Sequence, residues 1–283
     1  MIEKNVSLSQ YTTLKIGGIA KNFYRPRKIG ELMDLTSYLE KYFILGAGSN
    51  LLIDDSCEFE HVVYMGDFEK NLLSIDEEGI IIASSSIRIQ KLLNFANQNG
   101  LGGAEYLCSL PAMLGGIIAM NAGRGKTHRN SISDFIVSVD IITNGKLKTL
   151  TKQECDFSYR SSKFLNESSI IASAKLKLDE VSFAEGQSRL KERINDTMSV
   201  QAINLPSAGS VFKVSDGRIM RLMKIIPKNK EGLFFSNKTR NWISNGGKGT
   251  YSQAIKLIKI TEYLHKLFNS DIELEWRIWS VKD

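Results

Sequence analysis

The sequence predicts an α+β protein, and three observations support that prediction. Helical and strand-type periodicities are interspersed along the chain and fall into three blocks. With 283 residues, of which 42% are hydrophobic, the chain is long enough for roughly two domains of about 150 residues, each with its own core. Its 24% of charged residues and 4 prolines are typical of a globular protein rather than a disordered or fibrous one.

The first block, residues 1–56, predicts a small unit in which a helix leads into a buried strand. Apolar residues recur at helical spacing from Leu32 to Leu39, and the apolar run 42–45 then ends at Gly46.

The second block, residues 57–180, predicts an α+β unit with one helix, which ends at Gly100. Its predicted strands are apolar or alternating runs at 61–65, 79–83, 135–142 and 169–178. In the last of these, apolar residues alternate with polar ones up to Leu178, which indicates a half-buried strand.

The third block, residues 181–283, predicts two helices. Leu190, Ile194 and Met198 lie in helical register, and a long amphipathic helix follows at 252–268.

A closing strand is predicted over residues 272–279. Because strand side chains alternate, Glu273, Glu275 and Arg277 would share one face, while Trp276 would lie on the other.

The chain carries a formal net charge of +6, which suits an anionic partner. The basic residues are scattered without a dense run, so a solvated surface is favoured and we expect no nucleic-acid partner.

No basic-then-apolar leader opens the chain, and no apolar run approaches the roughly 18 residues of a membrane span. We therefore expect a cytoplasmic protein that does not engage a membrane.

Cysteine and histidine spacings argue against disulfide and metal sites. Cys57, Cys108 and Cys155 are far apart and contain no Cys-x-x-Cys pair, so we expect free thiols in a reducing compartment. The histidines lack metal-ligand spacing, and we predict no metal site and no histidine base. They are His61, His128 and His265.

A run of small residues follows the first predicted strand. Small side chains in this run would let several backbone N–H groups converge on an anion such as a pyrophosphate. The run reads Gly46-Ala47-Gly48-Ser49-Asn50-Leu51. It is not a P-loop, since no Gly-Lys-Ser/Thr follows, and Leu51 stands where a Rossmann fingerprint has its third glycine. A plain hairpin turn explains the run equally well.

A second glycine-rich run covers residues 107–123. Pro111 fixes a turn, and Gly115 and Gly116 permit close backbone approach to a ligand. Paired glycines also serve tight packing between elements, so this run alone favours ligand binding only slightly.

Two further segments carry groups suited to chemistry. Arg160 lies among hydroxyl residues at 156–162, where its guanidinium could grip a carboxylate or phosphate, although a surface arginine is the alternative. Ser210 follows a flexible Ala-Gly step but does not lie in a Gly-x-Ser-x-Gly elbow. With Glu273 and Glu275, these are the groups left for proton chemistry.

Taken in order, six segments resemble the UDP-N-acetylenolpyruvoylglucosamine reductase family, bacterial flavoenzymes of cell-wall precursor synthesis. The resemblance runs nearly end to end. The segments are Tyr-Thr-Thr-Leu-Lys-Ile-Gly-Gly at 11–18, then 46–52, 111–123, Tyr159-Arg160, 209–213 and 275–278.

The resemblance implies a two-part FAD-binding module of the vanillyl-alcohol-oxidase (PCMH) type from residues 1–56 and 57–180, with a substrate-binding domain over 181–283. It places the FAD pyrophosphate on backbone amides of residues 48–50. The residues that it implies for FAD binding are Gly46, Ala47, Gly48, Ser49, Asn50, Leu51, Ser109, Pro111, Gly115, Gly116, Asn121 and Gly123.

The implied reaction has two halves: NADPH reduces the bound FAD, and hydride then passes to the enolpyruvyl double bond of UDP-N-acetylglucosamine enolpyruvate. By position, Arg160 would stabilise the charge that develops on the substrate carboxylate. Ser210 would protonate the neighbouring carbon, and Glu275 would help to polarise the carboxylate. Tyr159 and Lys213 would contact the substrate, and we expect a monomer.

Three segments depart from the family's pattern. Arg124 stands between two glycines, and Lys-Thr-His-Arg follows at 126–129. The family's Lys-x-His-x-Asn-Phe segment reads Lys-Thr-Arg-Asn-Trp at 238–242, and the closing strand ends in Trp279-Ser280. These changes would alter specificity for the sugar nucleotide, while the three expected catalytic residues are retained.

Two other functions stay open on the sequence alone. A different oxidoreductase on the same flavin fold would turn over a small alcohol and have little use for Ser210 beside Arg160. A non-enzymatic basic protein would bind an oligonucleotide with steep salt dependence and hold no flavin.

Overall fold

The computed structural model describes residues 2–124, 130–226 and 229–281. Within these ranges the α-helices are α1 (Ile29–Tyr38), α2 (Ile89–Gln98), α3 (Leu114–Ala119), α4 (Phe183–Val200), α5 (Gly217–Leu222) and α6 (Tyr251–Leu267). The strands are β1 (Ile2–Ser7), β2 (Ile19–Tyr24), β3 (Phe43–Leu45), β4 (Leu51–Ile53), β5 (Glu58–Tyr64), β6 (Leu73–Ile75), β7 (Ile80–Ser84), β8 (Leu101–Gly102), β9 (Gly123–Arg124), β10 (Asn130–Ser131), β11 (Ile136–Thr143), β12 (Lys146–Thr151), β13 (Ile170–Lys177), β14 (Asp179–Glu180), β15 (Phe212–Val214), β16 (Leu233–Phe235), β17 (Ile243–Asn245), β18 (Glu273–Leu274) and β19 (Arg277–Trp279).

The chain divides into two compact units. The first contains Met1–Glu3, Phe23–Ala47 and His61–Asp196, and the second contains Lys4–Asn22, Gly48–Glu60 and Thr197–Asp283. The three-domain division at residues 56 and 180 stays a prediction.

A five-stranded antiparallel sheet of order β12-β11-β13-β7-β6 forms the centre of the first unit. Helix α2 forms because Ile89, Leu92 and Ala96 recur on one face, and Gly100 ends it with a φ of +73°. These apolar residues join the core that also contains Leu176 of β13.

Strand β13 is buried on both faces over its first half. The sequence predicts a polar face along the whole strand, but Ile171 and Ala172 are both buried and the alternation begins only at Lys175. Ile171 packs in the core of α2, while Ala172 belongs to a second cluster that contains Leu32 of α1. A central strand that is covered on both faces loses its polar alternation.

The predicted helix and strand of the first block are α1 and β3. Strand β3 pairs in parallel with β5, with Phe43 opposite Val62 and Leu45 opposite Tyr64. Within the described residues, β3 and β5 belong to a four-stranded sheet of order β1-β2-β5-β3.

Short ladders and two helices make up much of the second unit. Strand β15 pairs with β18 and β16 with β17, both antiparallel, and β19 pairs in parallel with β4. Helix α6 begins with a capping box, in which Thr250 and Gln253 each accept the other's backbone N–H. Its Ile258 packs in a core with Phe212 and Trp276.

The closing strand is broken at Glu275 and Trp276. The chain leaves the β15 ladder after Leu274 and joins the β4 ladder at Arg277. Glu275 and Arg277 therefore do not lie on one continuous strand, contrary to the sequence prediction.

Helix α4 is confirmed, but its apolar stripe is largely uncovered. Leu190 is buried, whereas Ile194 is 46% exposed and Met198 is 56% exposed. Over the described parts of the chain, no helix is both long and apolar enough to cross a membrane.

Candidate active site

The first glycine-rich run forms a tight loop against the Tyr11 segment. Gly48 has a φ of +62°, in the left-handed region, and a Cβ there would lie 2.2 Å from the carbonyl oxygen of Tyr11. The Gly48 carbonyl accepts a hydrogen bond from the N–H of Thr13 (3.1 Å). Only glycine fits this position.

The hairpin alternative for this run is wrong. Among the described strands, β3 before the run pairs with β5, and β4 after it pairs with β19. Within the described residues, the backbone N–H groups of Gly48 and Ser49 donate no hydrogen bond. Such amides beside a left-handed residue can bind an anion.

Asn50 connects this loop to Glu275. Its Nδ2 donates to the carbonyl oxygen of Glu275 (2.9 Å), and its own carbonyl accepts the N–H of Arg277 (3.0 Å). The loop and the Glu275 segment, which lie 225 residues apart in the sequence, are therefore neighbours in the second unit.

Ser210 and Glu275 are held on either side of Val211. The Val211 N–H donates to the carbonyl oxygen of Asn241 (2.8 Å), and its carbonyl accepts the N–H of Glu275 (2.8 Å). Val211 is fully buried, while Ser210 and Glu275 are half-buried. The fold of the second unit thus brings together two of the three predicted catalytic residues.

Lys213 has a partner in this structure. On β15 its ammonium group pairs with Glu273 on the adjacent β18. A contact between Lys213 and a substrate would compete with this ion pair.

In the first unit, Arg160 occupies a turn position that favours glycine. Tyr159 and Arg160 form the tip of a turn closed by two hydrogen bonds between Ser158 and Ser161 (3.0 and 3.2 Å). The φ of Arg160 is +55°. A non-glycine residue there costs about 1–3 kcal/mol, and such strain clusters at functional sites.

The Arg160 guanidinium connects two predicted segments. Its Nη2 donates to the carbonyl oxygen of Gly123 (2.5 Å), and its Nη1 to that of Asn121 (3.5 Å). Asn121 is buried, and its Nδ2 donates to the Ser158 carbonyl (2.9 Å). The Tyr159 ring centroid lies 5.3 Å from the guanidinium carbon, within the range of a cation–π contact.

The two glycines of the second run differ in their surroundings. A Cβ on Gly115 would lie 2.9 Å from the Cβ of Ser85, so the absence of a side chain permits close packing there. Gly116 has no atom within 4 Å of that position, so it borders open space. The Ser109 hydroxyl is buried and has no hydrogen-bond partner among the described residues.

Two residues that support these segments were missed by sequence reasoning. Gln90 Nε2 donates to the carbonyls on both sides of Ser109, those of Cys108 and Leu110, at 2.7 Å each. A glutamine near the start of a helix gives no sequence signal for such a contact. Asn241 gave one signal, since it is the asparagine retained in the divergent segment 238–242.

The residues that depart from the family's pattern differ in their contacts and exposure. Arg124 makes an ion pair with Asp196 (3.7 Å), and Arg240 is exposed. The Trp279 ring lies tilted against that of Phe59, with 6.0 Å between ring centroids. The Lys-Thr-His-Arg segment at 126–129 lies outside the described residues.

The histidines in the described ranges are hydrogen-bonded within the fold, and the thiols are buried. His265 is fully buried, and its Nε2 accepts the N–H of Asp216 (2.9 Å). His61 pairs with the Tyr24 hydroxyl (3.0 Å), while His128 lies outside the described residues. All three cysteines are buried free thiols; burial raises the pKa of one of them, Cys155, to about 11.

Each unit by itself offers features that fit part of an FAD molecule. In the first, Gly116 borders open space and the buried Ser109 hydroxyl has no partner among the described residues. In the second, the amides of Gly48 and Ser49 suit a pyrophosphate. The residues present are therefore compatible with this cofactor.

Comparisons with known proteins agree with this reading. The sequence profile of a family described as "FAD binding domain" matches residues 20–151. The UDP-N-acetylenolpyruvoylglucosamine reductase of Carboxydothermus hydrogenoformans is 33% identical over 96% of this chain and 92% of that protein. The enzyme of the same name from Chlamydia pneumoniae is 31% identical, over 98% and 91%.

A solved structure extends the likeness to the whole fold. The crystal structure of UDP-N-acetylenolpyruvylglucosamine reductase (MurB) from Thermus caldophilus matches with a TM-score of 0.82 and 26% identity, and the match covers 99% of each chain.

The fold and the FAD-binding match define an FAD-dependent oxidoreductase of α+β class. The chain belongs to the UDP-N-acetylenolpyruvoylglucosamine reductase family. The predicted α+β fold, the resemblance and the cofactor are confirmed, and the two other functions are set aside.

Proposed function

We propose that this chain reduces the enolpyruvyl group of UDP-N-acetylglucosamine enolpyruvate to the lactyl ether of UDP-N-acetylmuramate, with NADPH as reductant and Arg160, Ser210 and Glu275 as catalytic residues. Bound FAD supplies hydride transfer from NADPH to one carbon of the substrate double bond. The observation that carries the proposal is that Val211, the residue after Ser210, accepts the N–H of Glu275, which brings the Ser210 and Glu275 segments together.

Arg160 binds the substrate carboxylate in this proposal. Hydride addition to the double bond leaves negative charge that spreads into the carboxylate, and a guanidinium stabilises it with two charge-assisted hydrogen bonds. The left-handed turn that carries Arg160 supports such a role, because strain of this kind is tolerated where function requires it. Tyr159, beside it, contacts the substrate.

Ser210 donates the proton to the carbon next to the one that receives hydride. A serine hydroxyl is a weak acid, so it serves only when it is held against a strongly basic carbon. Glu275 polarises the carboxylate, and Lys213 contacts the substrate in exchange for its ion pair with Glu273.

The FAD would be held by residues of both glycine-rich runs. The amides of Gly48 and Ser49 suit its pyrophosphate, and the Ser109 hydroxyl would gain the partner that it lacks among the described residues. The full set is Gly46, Ala47, Gly48, Ser49, Asn50, Leu51, Ser109, Pro111, Gly115, Gly116, Asn121 and Gly123.

We further propose that the chain acts as a monomer in the cytoplasm and binds no nucleic acid. Three buried free thiols suit a reducing compartment. Analytical ultracentrifugation at micromolar concentration tests the monomer, and a sedimentation mass of twice the 31.7 kDa chain would reject it.

Anaerobic stopped-flow spectroscopy tests the function. The purified flavoprotein is mixed with NADPH and then with the enolpyruvyl sugar nucleotide, while the flavin absorbance is followed. We expect bleaching with NADPH and recovery only with the enolpyruvyl substrate. The proposal would be rejected if the flavin absorbance recovered instead with a small aldehyde or ketone, the oxidised form of an alcohol substrate. Failure to retain FAD after reconstitution would also reject it.

The Ser210→Ala variant tests the proton donor in the same apparatus. Reduction by NADPH should stay nearly unchanged, while reoxidation by the enolpyruvyl substrate slows. Equal loss in both half-reactions would remove Ser210 from its role.

A further inference from the structure

We propose that Asn241 is a positioning residue for Ser210 and acts through the backbone of Val211 and Phe212. The proposal rests on the proposed role of Ser210 as proton donor and names a residue that this role requires.

Asn241 holds the backbone of the two residues that follow Ser210. Its Oδ1 accepts the N–H of Phe212 (3.1 Å), and its Nδ2 donates to the Phe212 carbonyl (2.5 Å). Its backbone carbonyl accepts the N–H of Val211 (2.8 Å). One residue therefore satisfies three backbone groups of a segment about 30 residues away in the sequence.

On the other side of Ser210, Gly209 has no side chain that could restrain its backbone, although Ala208 before it is buried in the core. Gly209 has a φ of +74° and no atom within 4 Å of where a Cβ would stand, so its backbone torsions are loosely confined. Ser210 itself forms an isolated antiparallel bridge with Trp242, the residue after Asn241. The segment of Asn241 and Trp242 therefore holds the backbone that directs the Ser210 side chain.

Movement of Val211 would also separate the two catalytic groups of this unit. The Val211 carbonyl accepts the N–H of Glu275 (2.8 Å) and that of Trp276 (3.3 Å). Loss of the Asn241 side chain would let the Ser210 hydroxyl shift relative to Glu275. A misplacement of about 1 Å can slow an enzymatic step about 100-fold.

The test uses two substitutions that cut the contacts to different degrees. Asn241→Ala removes both side-chain hydrogen bonds to Phe212, and Asn241→Asp keeps the acceptor for the Phe212 N–H but loses the donor to its carbonyl. We expect Asn241→Ala to slow flavin reoxidation by the enolpyruvyl substrate about 10- to 100-fold, with a larger solvent deuterium isotope effect, and to change reduction by NADPH less than about twofold. In the Asp variant a carboxylate oxygen faces the Phe212 carbonyl oxygen, so this variant should slow the same half-reaction at least as much. It carries the test if the Ala variant does not fold.

Gln253→Ala is the matched control. Its side-chain amide also accepts backbone N–H groups in this unit, those of Leu233 and Thr250, and it takes no part in the proposed site. This variant should lower thermal stability comparably and leave the isotope effect unchanged. Hydrogen exchange of the Phe212 amide, which needs no flavin, should accelerate in Asn241→Ala and stay slow in Gln253→Ala.

A double-substitution cycle with Ser210→Ala decides whether Asn241 acts through Ser210. If it does, Asn241→Ala adds no further slowing in the Ser210→Ala background. Additive losses, equal slowing of both half-reactions, or an unchanged isotope effect would overturn the proposal for Asn241 and leave the role of Ser210 standing. A Ser210→Ala protein that is reoxidised at the original rate would overturn both.

Discussion

Gly48 lies so close to the carbonyl oxygen of Tyr11 that a Cβ would stand 2.2 Å from it. This contact explains why the glycine-rich run at 46–52 and the segment at 11–18 occur together in the resemblance. The segment at 11–18 supports the glycine-rich run, and the absence of a side chain at Gly48 makes their packing possible.

Replacing Gly48 by alanine should therefore damage FAD binding and stability together. The left-handed φ and the clash with backbone both oppose a Cβ. We expect the Kd for FAD, measured by fluorescence titration, to rise at least about tenfold and the Tm to fall. Gly217→Ala is the control, because Gly217 lies in the same unit and has no positive φ. No atom lies within 4 Å of the position that its Cβ would take. Unchanged Kd and Tm in Gly48→Ala would contradict the described loop.

Gly116 allows the proposed flavin site to be tested without disturbing the fold. Because open space surrounds its Cβ position, Gly116→Leu should keep the Tm of the apoprotein and raise the Kd for FAD at least about tenfold. Gly30→Leu, also at an open helical glycine in the first unit, should change neither quantity. Tight FAD binding by Gly116→Leu would exclude Gly116 from the pocket.

Arg160→Lys tests the planar guanidinium. Lysine keeps the charge but loses the fork that can bond a carboxylate and the two backbone carbonyls at once. A charged hydrogen bond contributes about 1.5–3 kcal/mol, so we expect flavin reoxidation by the enolpyruvyl substrate to slow about 10- to 100-fold, with NADPH reduction unchanged.

The control for Arg160 is Arg189→Lys, at an exposed arginine that pairs with Glu185. This variant should match the wild type in both half-reactions. An Arg160→Lys enzyme with normal substrate kinetics would remove Arg160 from the site.

Asp67 makes the stability of the first unit depend on pH. Arg25 donates to it from Nε (2.6 Å), and Lys70 pairs with it as well. Burial alone would raise the pKa of Asp67, but the hydrogen bonds and charges of these two partners outweigh it and hold the pKa below its ordinary value of 3.8.

Asp67→Asn should lower the free energy of unfolding by about 2 kcal/mol at pH 7. This value lies between the typical losses when an exposed and when a buried ion pair is broken. Because the folded pKa is the lower one, this contribution is present above pH 3.8 and is lost as the pH falls through the folded pKa. Urea denaturation should show the gap between variant and wild type closing only below about pH 4. A gap that is constant down to pH 2 would contradict the assignment.

Local patterns predicted most of the elements but not their surroundings. The helices at 29–38, 89–98 and 251–267 follow from apolar spacing and end signals that lie within a few residues. The double-sided burial of β13 could not be predicted in this way, because it depends on distant segments that pack on both faces of the sheet. The break at Glu275 depends on which distant strands pair with the residues before and after it.

By itself, the sequence determined the α+β class, the family and the segments from which a site is built, since ordered motifs and periodicity are properties of neighbouring residues. Only the tertiary structure decided that Arg160 bonds the carbonyls of Asn121 and Gly123, and that Val211 lies between Ser210 and Glu275. These relationships are hydrogen bonds between segments tens of residues apart, and their partners are chosen by the packing of the whole unit rather than by any local pattern.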